Sequence, residues 1–222
     1  MLYGKLKFPS RVLAGVLLSA LSMGLQTVNA APKKKAAPKV KVVCVGNSIT
    51  YGTGIQDREH FSYPVQLQKM LGDKYLVGNF GKPGATLLRH GHRPYMQQEE
   101  YRQAMAFKGD IAVIHLGIND TDPRNWPNYR DEFVKDYLSL MDSLRSVNPK
   151  VRFILARMTP IAHRHPRFIS GTKQWHDEIQ EAIQVVAKVS GAEVIDFHAP
   201  LYPYPNCLLY TSPSPRDTER SR

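Results

Sequence analysis

This sequence has few cysteines and no long apolar stretch. Cys44 and Cys207 are the only cysteines in 222 residues, so no disulfide framework is predicted. The longest apolar stretch, residues 12–25, has about 14 residues and falls short of the roughly 20 needed to cross a bilayer. These shortages exclude a disulfide scaffold and a stable membrane span.

Acidic residues are also scarce, with 19 Asp and Glu against 30 Lys and Arg and a net charge of +11. Most of the excess lies near the ends of the chain: +3 in residues 1–30, +4 in residues 31–39 and +1 in residues 207–222. Residues 40–206 carry only +3. Since no continuous basic surface is indicated, we expect no nucleic-acid partner.

The first thirty residues have the pattern of a secretory signal peptide. Lys5, Lys7 and Arg11 precede the apolar stretch, and small residues at Val28 and Ala30 suit a signal peptidase. We therefore predict export, with a signal peptide over 1–30 and a secreted or periplasmic location. Residues 31–39, with two Pro and four Lys, are predicted to be a flexible basic linker.

From residue 40 the apolar pattern alternates between strands and helices about every forty residues. Strands are predicted over residues 42–45, 75–80, 110–116, 151–156 and 193–197, and helices over 63–71, 101–107, 130–147 and 173–189. Alternation without hairpin signals is typical of an α/β fold with right-handed crossovers. The predicted architecture is a three-layer α/β/α domain, flavodoxin-like, with a five-stranded parallel sheet.

Each of the first three predicted strands ends in a small polar cluster. These are Gly46-Asn47-Ser48, Asn79-Phe80-Gly81 and Gly117-Ile118-Asn119-Asp120. Each cluster alone is also typical of a turn or a strand cap. Because the carboxyl ends of parallel strands meet at one edge, the three clusters should lie together.

Their residue types fit acyl transfer. Ser48 supplies a hydroxyl nucleophile, the Gly81 N–H can approach a ligand closely, and the Asn119 amide supplies another donor for a developing oxyanion. The sequence therefore predicts a serine esterase site at this edge.

In order and spacing, the three clusters resemble the first three sequence blocks of the SGNH (GDSL-type) hydrolases, with Asn47 where the name-giving motif has Asp. The resemblance covers residues 40–206. It implies that Ser48 is the catalytic nucleophile, that Ser48, Gly81 and Asn119 form the oxyanion hole, and that no metal or other cofactor is needed.

Residues between the blocks look like the exported sialate O-acetylesterase-type carbohydrate esterases, which implies removal of acetyl groups from sugars. Two other functions remain open. One is a lysophospholipase- or thioesterase-like enzyme, with a different acyl preference. The other is a carbohydrate-binding module without catalysis.

The fourth block of the family, Asp-x-x-His after the fifth strand, has no match there. Asp196 and His198 have a different spacing and are better interpreted as a strand end. Residues 207–222 resemble a translated sequencing adapter and are expected to be a disordered artefact. We therefore interpret 40–206 as a domain lacking its last block. We expect this chain to hydrolyse esters poorly or not at all, because a serine without a base is a weak nucleophile.

The remaining polar side chains are assigned more modest roles. Arg89, His90, His92 and Arg93 follow the glycine block, and we predict that they overhang the pocket and contact the substrate. The His90–His92 and His163–His165 pairs lack partners at ligand spacing and are interpreted as solvated histidines rather than a metal site. His115 is expected to be a hydrogen-bonded core histidine.

Overall fold

The structure, a computed structural model, describes residues 39–161 and 172–202. The predicted signal peptide, nearly all of the basic linker, His163, His165 and the predicted artefactual tail lie outside the described residues.

Five strands form a single parallel sheet, as the apolar pattern predicts. In chain order they are β1 (Val40–Gly46), β2 (Tyr75–Gly81), β3 (Ile111–His115), β4 (Arg152–Arg157) and β5 (Glu193–Asp196). Their order across the sheet is β2-β1-β3-β4-β5. All neighbouring pairs are parallel, and Gly46 lies beside Gly81 on one side and His115 on the other. The predicted fold class is confirmed.

Along the chain, the described helices alternate with these strands. They are α1 (Ser48–Tyr51), α2 (Arg58–Phe61), α3 (Tyr63–Leu71), α4 (Glu99–Phe107), α5 (Trp126–Tyr129), α6 (Phe133–Val147) and α7 (Thr172–Ser190). Single 3₁₀ turns occur at Tyr95–Gln97, Ile118–Thr121 and Arg130–Glu132.

The sheet is packed on both faces, so alternate residues of its strands enter two cores. Val43, Val45 and Ile114 belong to the larger core, which includes side chains of α4, α6 and α7. Val42, Cys44 and Val113 belong to a smaller core covered by α3. The face of α6 predicted from its spacing is buried, at Phe133, Tyr137, Leu140, Met141 and Leu144. Since α3 packs on one face and the long helices on the other, the domain has three layers.

Two apolar side chains that helical spacing places on a buried face are exposed in the structure. Met70 on α3 is 84% exposed and Val189 on α7 is 65% exposed. Both occur near the carboxyl end of a helix. Helical spacing therefore identifies the buried face but not how far along the helix burial extends.

No helix within residues 39–161 and 172–202 combines the length and the hydropathy required to cross a membrane.

Candidate active site

Ser48 stands at the point where β1 turns into a helix. The side chain of Asn47 caps α1 by accepting a hydrogen bond from the Ile49 N–H at 3.0 Å. Ser48 is therefore the first residue of α1, and its own N–H has no acceptor one turn earlier in the helix. Its side chain is half-buried, and its hydroxyl makes no hydrogen bond to any residue that the structure describes. Both groups are thus available to a ligand at this edge.

Two glycines allow α1 to pack tightly on the sheet edge. A Cβ at Gly46 would overlap the Thr50 side chain, and a Cβ at Gly81 would overlap the backbone at Thr50 and Tyr51. Gly81 also lies beside Gly46 in the β1–β2 register. The structure therefore brings Gly81 next to the helix that begins with Ser48, as predicted.

The N–H of Gly81 is engaged, however. It donates to Oδ1 of Asn79 at 3.0 Å, and the same Asn79 side chain donates from Nδ2 to the Tyr51 carbonyl at 3.4 Å. Gly81 can join an oxyanion hole only if this hydrogen bond is shared or released. Its role as a donor remains a prediction, while its role in close packing follows from the geometry.

Asn119 is held in a fixed orientation on the 3₁₀ turn after β3. It is 8% exposed, its Nδ2 donates to the Ala85 carbonyl at 2.8 Å, and its own carbonyl accepts from Asn125 Nδ2 at 2.9 Å. An amide nitrogen carries two hydrogens. The second hydrogen of Asn119 has no partner among the described residues, so it can serve as an oxyanion donor.

The neighbouring Asp120 has a structural role. Its fully buried carboxylate accepts from the Leu87 N–H at 2.9 Å and the Leu88 N–H at 2.8 Å. Burial is the main reason that the pKa of Asp120 is raised to about 7. Asp136 on α6 similarly accepts from the Arg89 N–H at 2.8 Å. Residues 85–93 are therefore fastened to the segment that follows β3, and we call them the clamped loop.

The four predicted substrate contacts all lie on the clamped loop and are exposed, but they point to different neighbours. Arg93 donates to the Pro83 carbonyl at 3.1 Å. His92 contacts Asn125, and through it the Asn119 turn. His90 pairs instead with Glu132 at 2.7 Å. Of the four, only His92 is linked by described hydrogen bonds to the turn that carries Asn119, and substrate contact by Arg89, His90, His92 and Arg93 remains a prediction.

His115 is buried, as predicted, but lacks the expected hydrogen bonds. Within the described part of the chain, neither ring nitrogen has a hydrogen-bond partner. Burial and the nearby His176 lower the pKa of His115 to about 4. Its ring packs against Phe197, with the centroids 5.4 Å apart. A neutral histidine enclosed in this way is a poor general base for Ser48.

The contacts of Asp196 and His198 are those of a strand end. Oδ1 of Asp196 accepts from the backbone N–H groups of His198 and Ala199, at 2.7 and 3.1 Å, and Oδ2 accepts from Arg157 at 2.9 Å. The His198 ring instead stacks on Tyr202. The carboxylate therefore does not orient this imidazole toward a serine.

One Asp-x-x-His spacing does occur, before α3, and sequence reasoning passed over it. Nδ1 of His60 lies 2.9 Å from Asp57, but the imidazole is largely exposed, and the His60 carbonyl accepts from Gln66 and Lys69 of α3. No described contact joins this pair to Ser48. The signal is the spacing itself, which here precedes α3, whereas the family resemblance places it after the fifth strand.

Chemically, the edge offers a hydroxyl and preoriented amide donors in a partly enclosed setting. Within residues 39–161 and 172–202, no three His, Cys, Asp or Glu side chains are grouped as metal ligands would be. The arrangement suits stabilisation of a negatively charged tetrahedral species formed by attack on a carbonyl.

Comparison with known sequences gives matches over most of the domain. The sequence model of the GDSL-like lipase/acylhydrolase family matches residues 44–214. An acetylxylan esterase of Xylanibacter ruminicola is 38% identical over 202 residues, covering 82% of this chain and 40% of that protein. The chain thus spans about two fifths of the length of this curated relative.

Solved structures share the fold at lower sequence identity. AlinE4, an SGNH-hydrolase family esterase, aligns with a TM-score of 0.57 at 18% identity, over 84% of this chain and 92% of that one. The acetyl xylan esterase AlAXEase aligns with a TM-score of 0.54 at 19% identity, over 74% and 81%. These likenesses support the α/β architecture described above.

Proposed function

Because the chain belongs to the GDSL-like lipase/acylhydrolase family, we propose that it is a serine esterase that removes acetyl groups from carbohydrate hydroxyls. Hydrolysis of ester bonds is the reaction class of this family, and it agrees with the class predicted from the three polar clusters. The family assignment also confirms the resemblance on which the site residues were named.

The observation that carries the proposal is the fixed amide of Asn119 at the same sheet edge as Ser48. Its bond to the Ala85 carbonyl orients one N–H and leaves the second for an oxyanion. A donor held in place before the reaction needs no reorganisation as charge develops, and one such donor contributes about 10²–10³ to kcat.

In this reaction Ser48 Oγ attacks the acetyl carbonyl, and the carbonyl oxygen becomes the oxyanion. The Ser48 N–H and the Asn119 amide stabilise that oxygen, and the Gly81 N–H joins them if Asn79 releases it. The sugar alkoxide then leaves, and water releases acetate from the serine ester. Attack requires removal of the serine proton. No described imidazole is bonded to Ser48, so the proton passes to water, and the sugar oxygen takes a proton from water as it leaves.

Acetylated sugar is the substrate best supported by the relatives. The relative with 38% identity bears the name acetylxylan esterase, and one structural neighbour is named in the same way. The exposed cations of the clamped loop, Arg89 and Arg93, are suited to oxygen-rich ligands. Acetylated xylo-oligosaccharides are therefore the substrates to test first.

The direct test is release of acetate from an acetylated xylo-oligosaccharide by the full chain, followed by mass spectrometry. Even without a base, for which the sequence predicts no residue, binding and the oxyanion donors should give a rate about 10³–10⁴-fold above that in buffer. Asn119→Ala should remove most of this enhancement. Release no faster than in buffer, from protein that is folded by circular dichroism, would contradict the proposal.

Acyl preference separates this function from a lysophospholipase- or thioesterase-like one. We expect p-nitrophenyl acetate to be cleaved at least tenfold faster than the laurate ester, because the sugar esters carry a two-carbon acyl group. Faster cleavage of the long-chain ester would assign the site to lipids. Sugar binding without any cleavage would indicate a binding module.

We also propose that the protein is exported, on the strength of the pattern in residues 1–30. Expression of the gene with its own leader, followed by N-terminal sequencing of the recovered protein, tests this. The mature chain should begin at Ala31 or Pro32.

A further inference from the structure

Asn125 is a completely buried amide, in the turn that precedes α5, whose side chain joins two parts of the site. Its Oδ1 accepts from the backbone N–H of His92 at 3.0 Å. Its Nδ2 lies 2.9 Å from the Asn119 carbonyl and 2.9 Å from Nδ1 of His92. One side chain thus contacts both the predicted oxyanion donor and a predicted substrate contact.

Two of these partners are backbone groups, and they fix which way the amide faces. A backbone N–H can only donate and a backbone carbonyl can only accept. The amide oxygen of Asn125 must therefore face the His92 N–H, and the amide nitrogen must face the Asn119 carbonyl. The usual uncertainty in the orientation of an Asn side chain does not arise here.

This orientation determines where the proton of a neutral His92 resides. The second hydrogen of Asn125 Nδ2 is directed at Nδ1 of His92, so that ring nitrogen must accept. In a neutral imidazole the other nitrogen then carries the hydrogen. His92 is thereby held with Nε2 as a donor, although its side chain is exposed on the clamped loop.

The same amide supports Asn119. Since both acceptors lie 2.9 Å from one nitrogen, the Asn119 carbonyl and Nδ1 of His92 are separated by no more than twice that distance. Asn125 is itself held by a bond from its N–H to the Asp122 carbonyl at 2.8 Å. The carboxylate of Asp122 pairs with Arg124 through two 2.8 Å bonds, which stiffens the turn.

We propose that Asn125 is a positioning residue of the esterase site, which sets the Asn119 amide for the oxyanion and fixes a neutral His92 ring in the form that carries its hydrogen on Nε2. The inference rests on the proposed function for its substrate. The histidine tautomer does not depend on that function and can be measured separately.

The tautomer is tested by NMR on the full chain labelled with ¹⁵N-histidine, with the His92 signals assigned by their loss in His92→Gln. The wild type should show a protonated Nε2 and an unprotonated Nδ1. Asn125→Asp replaces the donor by a carboxylate oxygen, so it should move the proton to Nδ1 or charge the ring. A wild-type ring protonated on Nδ1 would overturn the proposal.

The positioning role is tested by kinetics on two acetates, p-nitrophenyl acetate and an acetylated xylo-oligosaccharide. Asn125→Ala should lower kcat on both by about ten- to a hundredfold, because Asn119 loses its support. KM for both esters should change little, because an oxyanion donor acts in the transition state rather than on the bound ester. Unchanged kcat on both esters, or a rise in KM as large as the fall in kcat, would overturn the proposal.

Asn128→Ala is the matched control. Asn128 lies three residues further on, is exposed, and bonds only to the Pro123 and Arg124 carbonyls through its side chain. It should leave both kinetic constants and the His92 signals unchanged.

If Asn125→Ala fails to fold, Asn125→Asp carries both tests, since it retains the acceptor for the His92 N–H. If the wild type releases no acetate, the proposed function fails while the NMR result still decides the tautomer.

Discussion

At the scale of single residues, the candidate site depends on amides and carboxylates whose partners are backbone groups. Asn47, Asn119 and Asn125 each bond to a backbone N–H or carbonyl with fixed polarity. Side chains held in this way keep their orientation without a ligand, which is the condition for electrostatic stabilisation of an oxyanion. Mutation of these residues should therefore alter rate more than binding.

Ser48→Ala and Asn119→Ala should differ in their effect on acetate release by this chain. The members of a nucleophile–base pair act as a unit, and the sequence predicts no base for Ser48, so we expect Ser48→Ala to cost less than tenfold. Asn119→Ala should cost about 10²–10³ because the oxyanion donor acts on its own. A loss of 10³ or more in Ser48→Ala would show that a base exists in the chain and would contradict our expectation of poor activity.

Asp120→Asn should lower the free energy of unfolding by about 1–3 kcal/mol, because the new NH₂ cannot accept from the Leu87 or Leu88 N–H. The pKa of Asp120 is raised from 3.8, its value in the unfolded chain, to about 7 in the fold. Its contribution to stability is therefore complete below pH 3.8 and is lost as the pH rises through 7. The advantage of wild type over Asp120→Asn should thus shrink by up to about 1.4 kcal/mol per pH unit across that range. Urea unfolding of both proteins at several pH values measures this difference in unfolding free energy. A difference that grows as the pH rises would contradict the prediction.

Sequence reasoning identified Ser48, Gly81 and Asn119 because each follows a strand in a recognisable cluster. It missed Asn125, whose partners His92 and Asn119 come from two separate segments, so that no local spacing reveals the contact. It also placed His115 in the core but expected hydrogen bonds that are absent among the described residues. Polar pairing across distant segments depends on tertiary geometry, which a pattern along the chain does not contain.

At the scale of elements, the periodic pattern predicted all five strands and the four longer described helices, with bounds within two or three residues. The short helices α1, α2 and α5 were not predicted, since four residues are too few to show a period. Among these, α1 matters most for function because it places Ser48. Its position depends on the contact between its backbone and the end of β2.

Gly81→Ala tests that contact between elements. The added Cβ would overlap the Tyr51 backbone, which cannot move without displacing α1. We expect a loss of about 1–3 kcal/mol in unfolding free energy, together with reduced acetate release. Gly78→Ala is the control on the same strand, where the Cβ would meet only the Phe80 and Phe107 rings. Equal losses in both variants would show that the packing of α1 on Gly81 has no special role.

At the scale of the whole molecule, titratable groups whose pKa values are shifted in opposite directions limit the pH range in which the protein is most stable. The pKa values of His115, His176 and His198 are lowered, with burial as the largest cause, so their contribution is complete above about 6.5 and is lost on acidification. The raised pKa of Asp120 acts in the other direction, with a loss as the pH rises through about 7. On the acid side, the lowered pKa values of the three histidines act against the raised pKa of Asp120.

The stability of the chain should therefore peak near pH 6.5, with a steeper fall on the acid side. Thermal unfolding from pH 4.5 to 8.5 measures this profile. His115→Phe should flatten the acid limb, because the group with the most strongly lowered pKa of the three histidines is removed. Stability that rises steadily to pH 8.5 would contradict the assignment of Asp120.

The clamped loop has a consequence for how substrate range changes during evolution. Its path is dictated by Asp120, Asn125 and Asp136, which capture backbone N–H groups rather than side chains of the loop. The exposed Arg89 and Arg93 can therefore be exchanged for other residues while the backbone beneath them stays in register with Asn119. Under the proposed function, changes in this outer layer alone alter which sugar is bound and leave the candidate oxyanion donor Asn119 in place.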